Sequence, residues 1–148
     1  MKQQEIQVFI EGVKHYFKKE SNIEASVGTP YLVDSKDSPA LSYTGIIGIS
    51  GERKGCVYFT APSVMLRHLL VSMGESVQSD HYISDLTGEV ANTISGNAKK
   101  SFGSQFMISV PIVVKGVPDQ LQLPKDIDVY VVPMSWKSYD ANLVVCLE

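Results

Sequence analysis

The chain is short of the features that announce most chemistries. It has two cysteines, three histidines and one tryptophan, and none of its apolar runs approaches the ~20 residues needed to span a bilayer. Neither CxxC nor HExxH occurs, and His15, His68 and His81 have no partner at ligand spacing, which excludes the common metal arrangements. A GxSxG elbow, a phosphate-binding GK[ST] loop and a dinucleotide fingerprint are missing too. A basic excess is also lacking. Thirteen Lys and Arg face 16 Asp and Glu, for a net charge of −3, which argues against a nucleic-acid partner held by phosphate neutralisation. Lys18-Lys19 and Lys99-Lys100 read as charges at helix C-termini. Trp136 and the tyrosines are scattered without basic interleaving, so they offer no stacking surface for bases. Met1-Lys2-Gln3-Gln4-Glu5 lacks the apolar stretch of a secretory signal. These absences predict a cytoplasmic protein with no membrane partner.

What is present fits one domain over residues 1–148, with 44% hydrophobic and 20% charged residues. Cys56-Val57-Tyr58-Phe59 and Val144-Val145-Cys146-Leu147 are strand-like, so both cysteines are read as buried free thiols. Ile6, Phe9, Ile10, Val13 and Phe17 follow helical spacing until Ser21-Asn22. Residues 24–40 are poorly patterned. Leu41 to Thr60 predicts a β-hairpin whose loop is Gly51-Glu52-Arg53-Lys54-Gly55. Gly45 and Gly48 weaken its first strand unless another backbone comes close. Pro62-Ser63 opens a second helix with Met65, Leu66, Leu69 and Leu70 inward and Met73-Gly74 at its end. Ser79-Asp80 and Gly103 bracket a third helix. Strands are expected at 107–114, 127–134 and 143–147, with Pro118 and Pro124 marking a loop and 136–141 another connection. The order is not a βαβ alternation. It predicts an α+β fold, with helices on one face of a mainly antiparallel sheet of about five or six strands.

The third helix carries the informative pattern. Ile83, Leu86, Val90 and Ile94 form one stripe, while Asp85, Glu89, Asn92 and Gly96 fall opposite within an arc of about 60°. Glu89 and Asn92 project from neighbouring turns about 4.5 Å apart along the axis. A carboxylate can grip a cation on a partner, and an amide can both donate to and accept from a water. The pair has no nucleophile, so it suits completing another protein's site by orienting water. Gly88 and Gly96 flank it, and each costs roughly 1 kcal/mol inside a helix relative to alanine, which suggests clearance for an approaching surface. A faint echo lies in the first helix, where Glu11 keeps the same spacing and Lys14 stands in place of the amide.

Asp85-x3-Glu89-x2-Asn92, with Gly96 and the later Pro111, resembles the signature of the CheC/CheX/FliY family of chemotaxis phosphatases. Gly45 to Gly51, Gly55-Cys56-Val57-Tyr58, Met73-Gly74 and Pro111-Ile112-Val113-Val114 agree with it, and one motif per chain is similar to the CheX branch. The resemblance spans about residues 41–114. Eighteen residues (93 to 110) separate Asn92 from Pro111, fewer than is usual in that family. The resemblance implies a single CheC-like domain that removes phosphate from the aspartyl phosphate of a CheY-like receiver. It gives Asn92 the role of holding the attacking water and Glu89 that of pairing with the receiver's active-site lysine. Asp85, Gly88, Gly96 and Pro111 would belong to the partner-binding surface. No metal or cofactor is expected in this chain, and the magnesium ion is expected in the receiver. A homodimer joined through sheet edges is implied as well. The alternative is a non-catalytic module of the same fold that docks a receiver or a flagellar-switch component.

Overall fold

The computed structural model describes residues 1–76, 78–116, 123 and 126–148. The loop expected around Pro118 and Pro124 lies outside the described residues. Three helices, α1 (Gln3–Ser21), α2 (Ser63–Ser72) and α3 (Asp80–Phe102), cover one face of an antiparallel sheet. Its strands are β1 (Ser26–Val27), β2 (Tyr31–Val33), β3 (Tyr43–Gly51), β4 (Gly55–Ala61), β5 (Phe106–Ile108), β6 (Ile112–Lys115), β7 (Val129–Trp136) and β8 (Tyr139–Leu147). They form one 8-stranded sheet in the order β1-β7-β8-β4-β3-β5, with β2 also on β7 and β6 also on β3. The architecture is the expected α+β one, with more strands than the five or six anticipated.

The extra strands come from the edges. β1 and β2 are too short to show a period of two, and both pair with β7. The stretch read as one strand at 107–114 is two, because Ser109 to Pro111 leave the ladder between β5 and β6 while both sides return to β3. The connection expected at 136–141 is a tight hairpin. Trp136 pairs with Tyr139, and Lys137 and Ser138 both take positive φ (49° and 70°). Such turns usually announce themselves with Asn-Gly or Asp-Gly, and Lys-Ser carries no such signal.

Each half of the chain therefore runs helix, two short strands on one edge, then a hairpin. α1, β1–β2 and β3–β4 make the first set; α3, β5–β6 and β7–β8 make the second, with α2 added between them. The echo of Glu11 in Glu89 thus falls on helices that hold matching places in the topology.

Alternation along the strands sorts the core into two layers. Tyr43, Ile47, Ile49, Val57, Phe59, Leu143 and Val145 point toward the helices and meet Phe9, Val13, Phe17, Leu66, Leu69, Ile83, Leu86, Val90 and Ile94. Each large side chain buried this way contributes roughly 1.5–3 kcal/mol. A smaller layer on the far face joins Cys56, Tyr58, Val129, Val131, Val144 and Cys146. α1 ends where Asn22 takes the left-handed conformation (φ 62°) and its N–H donates to the Lys18 carbonyl at 3.0 Å. The Ser21 hydroxyl beside it accepts from Trp136 Nε1 at 3.1 Å, which ties α1 to the end of β7. No helix among the described residues is long and apolar enough to cross a membrane.

Candidate functional site

α3 owes its start to Ser79, whose Oγ accepts from the Tyr82 N–H at 3.4 Å, and its end to Gly103. A second clamp holds its first turn. Tyr43 on β3 donates to Asp80 Oδ1 at 2.8 Å, and the Lys115 ammonium of β6 pairs with Asp80 Oδ2. Lys115 first, and then the Tyr43 hydroxyl, hold the Asp80 carboxyl below its ordinary range.

Farther along, α3 is pressed onto the sheet. A Cβ on Gly45 would stand 2.6 Å from the Thr87 carbonyl oxygen and 3.2 Å from Gly88 Cα. Only glycine lets the β3 backbone approach the helix backbone this closely. Gly48 differs, since it faces a side chain: its N–H donates to Ser109 Oγ at 2.8 Å. The Thr87 hydroxyl turns back to the Ile83 carbonyl at 2.7 Å, so it makes no demand on the apolar layer around it.

Above this seat, Ile83, Leu86, Val90 and Ile94 are buried, whereas Asp85, Glu89 and Asn92 are exposed on the opposite face. The two glycines have different surroundings. Among the described residues nothing lies within 4 Å of where a Gly96 Cβ would be, so the face beside Glu89 and Asn92 is open there. Gly88 is buried; its Cβ would meet Val113 Cγ2 at 3.1 Å and Pro111 Cβ at 3.4 Å. The room at Gly88 is thus filled from within the chain, where the sequence suggested room for an approaching partner. Pro111 is brought to the motif by this contact, despite the short path from Asn92, because Gly103 to Gln105 turn α3 directly into β5.

Two neighbours of the motif do not stand out in the sequence. His81 Nε2 lies 3.4 Å from Asp85 Oδ2, one turn earlier on the same helix, with both side chains exposed. Tyr16 of α1 is buried, and its hydroxyl has no hydrogen-bond partner among the described residues. Burial, and then the negative charge of Glu89, push its phenol above the ordinary range. On the matching face of α1, Glu11 and Lys14 are exposed beside a groove that His15, Lys18, Ser26 and Val27 also line. Among the described residues no cluster of three or more His, Cys, Asp or Glu side chains is placed to hold a metal ion. Among the described residues the motif face thus presents an exposed carboxylate and an exposed amide, with no metal-ligand cluster beside them.

Comparison with known proteins places the fold among CheC-like domains. The structure is similar to a CheC-like superfamily protein from Shewanella sp. PV-4, with a TM-score of 0.86 and 27% identity over 100% of this chain and 99% of that one. A putative chemotaxis protein from Desulfovibrio vulgaris Hildenborough matches at a TM-score of 0.86 and 22% identity, over 98% of this chain and 97% of that one. A CheX–CheY–BeF3–Mg2+ complex from Borrelia burgdorferi contains a chain that matches at a TM-score of 0.80 and 17% identity, over 97% of both. No curated protein matches by sequence. The family model described as chemotaxis phosphatase CheX matches residues 43–135, and this chain belongs to that family.

Proposed function

We propose that this protein dephosphorylates a CheY-like receiver domain, with Asn92 positioning the attacking water and Glu89 fixing the partner. The observation that carries this reading is the exposed Glu89–Asn92 pair on a helix whose apolar stripe from Ile83 to Ile94 is turned inward. A phosphoryl group asks little covalent chemistry of its catalyst; positioning and charge stabilisation do most of the work. Asn92 can accept a hydrogen bond from the water through its carbonyl or donate one to the water oxygen through its amide, and either holds the water in line with phosphorus. Glu89 supplies a negative charge for the lysine of a receiver's active site, so correct docking and catalytic geometry are set together. Asp85 lies on the rim of the docking face and Gly96 gives the partner room. Pro111 shapes the floor at Gly88. The magnesium ion of the reaction belongs to the receiver, a reading supported by the Borrelia burgdorferi complex of CheX, CheY, BeF3 and Mg2+.

The same reading includes action in the cytoplasm and a homodimer joined at a sheet edge. Both edges support such pairing, since Tyr31 and Leu32 on β2, and Val110 and Ile112 at β6, are exposed apolar residues. Light scattering of Leu32→Lys and Ile112→Lys tests it: the variant at the true edge runs as a monomer.

The deciding assay is phosphate release from receivers of the same genome, with the wild-type protein beside Asn92→Ala. Acceleration by the wild type alone is the expected result. Tight binding to a phosphorylated-state mimic with no acceleration would favour the docking module instead.

A further inference from the structure

The far face of the sheet holds two thiols for which the chemistry above has no use. Cys56 on β4 stands directly across the ladder from Cys146 on β8, and both are free and buried. Just beyond the pair, the Glu148 N–H donates to the Lys54 carbonyl at 3.0 Å. Lys54 and Glu148 are thus a hydrogen-bonded pair, and such pairs recur at every second position of an antiparallel ladder. Cys56 and Cys146 are the next one. At these positions the Cα atoms lie about 5.5 Å apart, inside the range of roughly 4.4–6.8 Å that a disulfide spans. Their Cβ atoms, about 5.5 Å apart in such a pair, would draw together to about 4 Å. Both side chains point to one face, into the small apolar layer with Tyr58, Val129, Val131 and Val144. Cys56 keeps 9% of its surface exposed and Cys146 none, so a reagent the size of water reaches the pair from the Cys56 side. The two residues face each other across the ladder, so a thiolate formed at one has the other as its cross-strand neighbour.

We propose that Cys56 and Cys146 are a modification site, a dithiol that peroxide converts into an intrachain disulfide between β4 and β8. The Cys56 thiolate, on the accessible side, attacks one peroxide oxygen and the O–O bond breaks. The departing hydroxide takes up the proton of the Cys146 thiol and leaves as water. Cys146, now a thiolate, attacks the sulfenic sulfur of Cys56, the S–S bond forms, and hydroxide departs to be protonated to the second water. Two electrons pass from the thiols to one peroxide, and the two thiol hydrogens end in water. Because the Cβ atoms must converge, the bond is more easily reduced than a structural disulfide.

The test exposes the full-length native protein to hydrogen peroxide, quenches it, and measures intact mass and thiols titratable in denaturant. The expected result is loss of two hydrogens in mass, loss of both titratable thiols, and return of both with dithiothreitol. Tryptic mapping then finds the peptide 55–67 linked to the peptide 138–148. A gain of oxygen without loss of hydrogen, a disulfide between two chains, or two thiols left intact would each overturn the proposal. Cys56→Ser must lose the hydrogen-loss signature; should that variant not fold, the wild-type peptide map decides alone.

Discussion

Pro111 rests on Gly88. A Cβ added to that glycine would stand 3.4 Å from the proline Cβ, so the segment leaving β5 is seated one residue away from Glu89. The contact joins the two ends of a sequence signature that lie far apart in the chain, and it makes the surface around the motif a composite of helix and sheet edge.

Asn92→Ala is expected to lower the acceleration of receiver dephosphorylation by at least about a hundredfold, the scale on which positioning acts. The residue is exposed, so the stability of the variant should stay within about 0.5 kcal/mol of wild type. Stopped-flow or phosphate-release rates beside a urea titration check both halves. Wild-type turnover in this variant would end the water-positioning role.

Glu89→Gln keeps the size of the side chain and removes its charge. It should raise KM for the phosphorylated receiver more than it lowers kcat, and flatten the salt dependence of the rate. Equal salt dependence in the two proteins would assign Glu89 a role other than charge pairing.

Gly96 separates stability from docking. Among the described residues nothing lies within 4 Å of its Cβ position, so Gly96→Ala should stabilise the protein by roughly 0.5–1 kcal/mol. Gly96→Leu should fold equally well and raise KM for the receiver. An unchanged KM in the leucine variant removes Gly96 from the docking face.

Gly45→Ala tests the seat beneath the site. Its methyl would stand 2.6 Å from the Thr87 carbonyl oxygen, and both strand and helix are backbone-bound there. A loss of about 1–3 kcal/mol is expected, read as a lower urea midpoint. Phosphatase activity should fall as well, because α3 must lift. A variant of full stability and activity would show that the close approach is slack.

Asp80 gives the pH dependence. Its folded carboxyl titrates below the ordinary range, through Lys115 and then Tyr43, whereas the unfolded chain titrates at about pH 3.9. The folded state therefore binds fewer protons between the two values. The contribution is full above the unfolded value and lost as pH falls through the folded one. Urea midpoints measured down to about pH 3 should drop less steeply in Asp80→Asn than in wild type.

Much of α3 was legible because three signals coincide in it: the stripe from Ile83 to Ile94, the cap at Ser79 and the stop at Gly103. The hairpin of β3 and β4 was legible for the same kind of reason, with alternation on both sides of a glycine-bounded loop. The edges were not. β1 has two residues and β2 three, and a period cannot be read from so few. The break at Ser109 to Pro111 depends on a side chain bonding Gly48 sixty-one positions away, which no local window contains. Gly88 shows the same limit within the site. Sequence marked it as a missing side chain, and only the fold says that Pro111 and Val113 occupy the space. His81 beside Asp85 was within reach, since i and i+4 are neighbours on any helix, but both residues are too common on exposed helix faces to stand out.

Gly45 has one more effect. By letting β3 bear directly on Thr87, it fixes the middle of a 23-residue helix, the part least able to fray. Glu89 and Asn92 ride on that fixed span, and among the described residues both are exposed on it. A partner then meets a surface already set, and little conformational entropy is lost on encounter. On such a preset surface, the pace of repeated cycles should be governed by how long the spent partner lingers.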